Sequence, residues 1–108
     1  MLGNLGDMMK LMGQAGQIKK NMAEMQERAK RRVVEGSSGG GLVKVRANGI
    51  GEVLTVEIDP EALKDSESLG PLIAAATNAA LRGGREAMLE ETKQALGGMD
   101  LPPGLLPG

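Results

Sequence analysis

A chain of 108 residues without cysteine, histidine or any aromatic residue has material for one small domain, read as spanning 1–108, with a thin core of Leu, Ile, Val, Ala and 8 Met; cores this small are commonly completed by self-association. The missing residue types exclude disulfides, thiolate nucleophiles, thiolate metal sites and Ser-His-Asp or Cys-His catalysis, and they remove the aromatic platforms on which single-stranded bases stack. The net charge of −1 conceals a division: from Lys10 to Arg46 nine basic residues face three acidic ones, and from Ala47 onward four basic residues face ten acidic ones, an asymmetry that can present a basic surface on a mildly acidic protein.

The opening residues Met1, Leu2, Leu5 and Met8 are interrupted by Gly3, Asn4, Gly6 and Asp7. With no basic lead-in and no unbroken apolar run, no targeting segment is expected there, and no stretch approaches the length of a membrane span. Met8, Leu11, Ala15, Ile18, Met22, Met25 and Ala29 then recur at alternating steps of three and four, a heptad seam read as core or dimer packing rather than a ligand site. A helix from about Met8 to Arg32 would run roughly 37 Å at 1.5 Å per residue, more than so small a domain can cover, so part of it is expected to project or to meet a partner. Gly13 and Gly16 weaken its first turns. Glu24 precedes Arg28, and Glu27 precedes Arg31, by four residues, the orientation that favours surface ion pairs. Lys19, Lys20, Lys30 and Arg32 are less compensated. Two readings of these cations are open: a solvated face suited to the helix C-terminal dipole, or a nucleic-acid surface, against which the low overall pI of 5.5 counts.

The centre of the chain, Gly39 to Pro60, reads as a β-hairpin. Val43, Val45 and Ala47 alternate with Lys44 and Arg46, and Leu54, Val56 and Ile58 alternate with Thr55 and Glu57, the period of two of strands with one buried face. Asn48-Gly49 is a dipeptide suited to the positive φ angles of a tight turn, and Gly51 leaves room for a longer loop or a bulge. Arg32-Val33-Val34-Glu35-Gly36 supplies a third strand, linked by Ser37-Ser38-Gly39-Gly40-Gly41. Val43, Val45, Leu54 and Val56 could serve the chain's own core or a dimer interface.

Past Asp59-Pro60, which closes the strand, Glu61-Ala62-Leu63-Lys64 suits a single helical turn. Ser68 is the expected N-cap of a second helix, with Pro71 in its first turn, and Leu69, Leu72, Ile73, Ala76, Ala80, Ala87 and Met88 describe its apolar face. Gly83-Gly84 is expected to weaken and bend this helix, which ends near Leu96 at Gly97-Gly98. Residues 97–108 form a Pro- and Gly-rich tail that could dock on the body or on a partner.

No catalytic constellation emerges. Gly36-Ser-Ser-Gly-Gly-Gly41 lacks the lysine and helix start of a phosphate cradle and reads as a flexible inter-strand loop. Glu57, Asp59 and Glu61 cluster at a strand end, but alternate strand residues point to opposite faces. No enzyme activity, cofactor, metal or small-molecule substrate is therefore expected.

Four segments together, Gly41-Leu42-Val43-Lys44-Val45-Arg46-Ala47-Asn48-Gly49, Val56-Glu57-Ile58-Asp59-Pro60, Leu72-Ile73-Ala74-Ala75-Ala76-Thr77-Asn78-Ala79-Ala80 and Gly98-Met99-Asp100-Leu101-Pro102-Pro103-Gly104, resemble in order and spacing the YbaB/EbfC family of bacterial nucleoid-associated proteins. The Met- and Gln-rich opening, Met8 to Gln26, resembles that family's start as well. The resemblance implies an α+β fold in the order α-β-β-β-α: a three-stranded antiparallel sheet flanked by a long N-terminal and a C-terminal helix, paired through the sheet into a tweezer-like homodimer. It implies a cytoplasmic, nucleoid location and binding of double-stranded DNA for chromosome organisation or transcription regulation. On that reading Lys19, Lys20, Arg28, Lys30, Arg31 and Arg32 of the first helix, Lys44 and Arg46 of the sheet, and Arg82 and Arg85 of the second helix are the expected phosphate contacts, with Val43, Val45, Leu54 and Val56 at the dimer interface. The alternative is a dimeric protein–protein adaptor using the heptad seam and the tail.

Overall fold

The computed structural model describes residues 5–96. Helix α1 spans Leu5–Arg31, strands β1, β2 and β3 span Val33–Ser38, Val43–Asn48 and Val53–Ile58, and helix α2 spans Ser66–Ala95 after a 3-10 turn at Pro60–Lys64. The strands form one antiparallel sheet in the order β1-β2-β3, as the α-β-β-β-α expectation requires. The tail expected over 97–108 lies outside the described residues.

Helix α2 lies across the inner face of β1 and β2, and the core forms between them. Val43, Val45 and Ala47 point inward from β2 and are fully buried against Ala76 and Ala80, with Leu69, Leu72, Ile73 and Leu81 packed around them. Two glycines let helix and sheet come close. A Cβ on Gly36 would run into the backbone of Ala76, Ala79 and Ala80, and one on Gly84 would run into the Asn48 carbonyl. Helix α2 continues through Gly83 and Gly84, where the expectation was a weakened, bent stretch: the glycines serve the approach of helix to sheet, which offsets their poor helix propensity.

The start of α2 also differs from expectation. Asp65, not Ser68, is the N-cap: its carboxylate accepts from the Ser68 N–H at 3.3 Å and the Ser68 hydroxyl at 2.7 Å. This places Pro71 in the second turn. Asp59 plays the same part for the 3-10 turn, accepting from the Glu61 N–H at 2.9 Å.

The β2–β3 connection is a short loop closed by two backbone bonds. Gly51 N–H bonds the Asn48 carbonyl at 3.2 Å and Asn48 N–H bonds the Glu52 carbonyl at 3.0 Å. The left-handed residue is Gly51, at φ 84°, and not Asn48 or Gly49, the arrangement of a turn closed by a bulge glycine. Asn48 is buried, and its amide bonds the Glu52 carboxylate and accepts from the Ile50 and Glu52 N–H groups. A further irregularity puts Ala47 opposite Val53 and leaves Leu54 as the extra residue of β3. Strand β1 runs two residues further than the sequence suggests, to Ser38, and Gly39, Gly40 and Gly41 turn the chain at φ 62°, 69° and 97°.

Helix α1 stands away from this body. Residues 5–20 are exposed on every side, and only Met25 and Ala29 are buried. The molecule consequently measures 72 Å along its long axis against 24 and 19 Å across. Among the described residues, no helix is long and apolar enough to cross a membrane.

Candidate nucleic-acid interface

The base of α1 is fastened to α2 by charge. Glu91 continues the buried stripe Ala76, Ala80, Gly84, Ala87 of α2 and is 5% exposed. Arg28 Nε reaches its Oε2 at 3.0 Å, and Arg32 Nη1 reaches its Oε1 at 3.5 Å. The other Arg32 nitrogen, Nη2, bonds Glu90 Oε2 at 2.7 Å, and this hydrogen bond raises the Arg32 guanidinium above its ordinary pKa. The expected pairs of Glu24 with Arg28 and Glu27 with Arg31 do not form. Arg28 turns instead to the buried carboxylate of the neighbouring helix, where desolvation strengthens the attraction. A carboxylate in phase with an alanine and glycine stripe was the available sequence sign that such a partner would be needed.

Of the ten cations singled out from the sequence, Arg28 and Arg32 are thus engaged within the chain. Lys19, Lys20, Lys30 and Arg31 are exposed along α1, and none forms an ion pair among the described residues. Arg82 and Arg85 are exposed on α2, likewise unpaired among the described residues. Lys30 and Arg85, 55 positions apart in the chain, border one open cleft of about 550 Å³ between α1, the β2–β3 loop and α2, together with Gln26, Glu27, Ile50 and Met88.

The outer sheet face is more balanced than the cations alone suggest. Arg46 lies 3.5 Å from Glu35 on β1, and Lys44 stands opposite Glu57 in the β2–β3 register. Each cation there has a carboxylate across the ladder, so this face carries little net charge.

The four apolar sheet positions divide into two pairs. Val43 and Val45 are 0% exposed beneath α2, whereas Leu54 and Val56 of β3 are 47% and 48% exposed. Val45 and Val56 are direct partners in the ladder, yet α2 covers the first and stops short of the second. Strand β3 is an edge of the sheet, with Val53 also exposed.

Comparison with known proteins agrees with this architecture. The YbaB/EbfC DNA-binding family matches residues 4–99. Nucleoid-associated protein Cpha266_1171 of Chlorobium phaeobacteroides is 41% identical over 103 residues, covering 95% of this chain and 90% of that protein. Nucleoid-associated protein DP1429 of Desulfotalea psychrophila is 40% identical over 98 residues, covering 89% and 92%. The crystal structure of the uncharacterized protein HP0035 from Helicobacter pylori superposes with a TM-score of 0.73 at 27% identity, over 86% of this chain and 97% of that one. A projecting cationic helix on a small antiparallel sheet, with this breadth of sequence agreement, places the chain in the YbaB/EbfC DNA-binding family.

Proposed function

We propose that this chain binds double-stranded DNA as a homodimer and acts, like the relatives named for it, as a nucleoid-associated protein in chromosome organisation or transcription regulation. The observation that carries the reading is the projecting helix α1, on which Lys19, Lys20, Lys30 and Arg31 stand exposed and unpaired among the described residues. Arg82 and Arg85 extend the basic surface onto α2. Such cations bind by neutralising phosphates and releasing counterions, with little reading of base edges. Strand β3 supports pairing of two chains: it is an uncovered edge with Val53, Leu54 and Val56 exposed, and an edge of this kind is a template for a second copy. Two chains joined there would double every cation of the arm.

The test is a titration of duplex DNA at several salt concentrations, with the native chain and a Lys30→Gln, Arg31→Gln variant. Affinity that falls steeply with salt, with a shallower slope in the variant, is the expected result; absence of binding at low salt overturns it. The adaptor reading has one observation in its favour, the exposed Leu5, Met8, Leu11, Ile18 and Met22 along α1. Salt-insensitive capture of a protein partner, without DNA binding, would decide for it.

A further inference from the structure

We propose that Glu91 is the residue that aims the α1 arm, and that Arg28 and Arg32 serve as its ligands instead of gripping DNA phosphates. The inference deepens the DNA-binding reading and rests on it for its functional consequence, though not for its structural one.

Apolar burial alone gives little directional control, because hydrophobic contact is non-directional and α1 buries only Met25 and Ala29. One backbone bond, from Gly49 N–H to the Ala29 carbonyl at 2.9 Å, fixes a point on the helix and leaves its tilt free. Glu91 supplies the missing constraint. Its two oxygens are taken separately, Oε2 by Arg28 in the last turn of α1 and Oε1 by Arg32 just past its end, so the carboxylate holds the base of the arm at two places. A residue needed only to fill space at this position would be apolar, since a carboxylate at 5% exposure demands partners. Glu90 adds a third hold, on Arg32 at 2.7 Å. For Arg28 or Arg32 to move onto a phosphate, Glu91 would be left buried with half its partners gone, a strongly unfavourable exchange.

Glu91→Gln separates aiming from plain electrostatics, because the two predict opposite signs. Removing a negative charge from a DNA-binding protein strengthens binding if charge alone matters. Loss of aim weakens it. The chain has no cysteine, so spin labels at Gly13→Cys and Glu67→Cys, in full-length chain diluted into unlabelled chain, report the arm's direction as a distance distribution. We expect Glu91→Gln to broaden that distribution and weaken duplex binding several-fold with an unchanged salt slope, Glu91→Asp to recover part of both, and Arg32→Gln to leave the slope unchanged. If Glu91→Gln does not fold, Arg28→Lys, which keeps the charge but loses the Nε–H aimed at Oε2, is expected to give the same two changes. A distribution as narrow as the native one, tighter DNA binding in Glu91→Gln, or a salt slope reduced by about 0.9 in Arg32→Gln would each overturn the proposal. If the native chain binds no duplex DNA, the function proposed above fails, and the label distribution alone decides whether Glu91 aims the arm.

Discussion

Gly49 donates its N–H to the Ala29 carbonyl at 2.9 Å, and so a β-turn caps the C-terminal end of the arm helix. A Cβ at Gly49 would lie 2.7 Å from that same oxygen. Gly49→Ala should therefore cost about 1–3 kcal/mol through overpacking. Two residues on, Gly51 has open space around its Cβ position but a φ of 84°, so Gly51→Ala should cost about 1–2 kcal/mol through backbone strain. Asparagine tells the two apart in denaturant titrations: it should recover stability at 51, where a left-handed conformation is the demand, and worsen matters at 49, where space is.

The ladder partners Val45 and Val56 should respond differently to the same change. Val45→Ala removes two methyl groups from a fully buried site and is expected to cost about 2 kcal/mol or more. Val56→Ala should leave the stability of an isolated chain within about 0.5 kcal/mol. If β3 is the pairing edge, Leu54→Glu with Val56→Glu should give a folded monomer by light scattering and circular dichroism, and the native protein a thermal midpoint that rises with concentration.

The cations should fall into classes by salt dependence. Lys19→Gln and Lys20→Gln are expected to reduce the slope of log affinity against log salt by about 0.9 for each phosphate no longer neutralised. Lys44→Gln and Arg46→Gln should change it less, because Glu57 and Glu35 already answer those charges across the sheet.

The cap of α2 carries a pH signature. The bonds from the Ser68 hydroxyl and N–H lower the Asp65 pKa below the ordinary carboxylate value. A folded-state pKa below the unfolded one means a stabilising contribution that is complete above the unfolded pKa and lost as pH falls through the folded one. Stability measured by urea titration should decline below about pH 4, and Asp65→Asn, which still accepts the N–H bond, should flatten that part of the profile.

Much of the fold was legible because its signals are local. The alternation of Val43, Val45 and Ala47, the Asp59-Pro60 stop and the three-four spacing along α1 each depend on near neighbours in the chain. What stayed hidden was set by distant ones. Gly84 reads only as a weak point of its helix until the Asn48 carbonyl lies against it, and Arg28 reads as the partner of Glu24 until Glu91 arrives from 63 positions away. The four apolar sheet residues share one pattern, and only the path of α2 over β1 and β2 separates buried Val45 from exposed Val56. The surface cations were visible from the first, but which of them had carboxylate partners depended on the pairing of strands and helices.

The described fastenings of α1 to the sheet and α2 lie at one end, at Met25, Arg28 and Ala29 with Arg32 just beyond, while its other end stands about 30 Å away at 1.5 Å per residue. This makes the helix a lever with a short grip. A tilt of about 6° at the grip displaces the tip by about 3 Å, close to the rise of one base pair along a DNA strand. Changes in side-chain geometry too small to disturb the core would thus shift Lys10, about 22 Å beyond Met25 at 1.5 Å per residue, by about 2 Å, while Lys19 and Lys20, nearer the grip, would move by only about 1 Å.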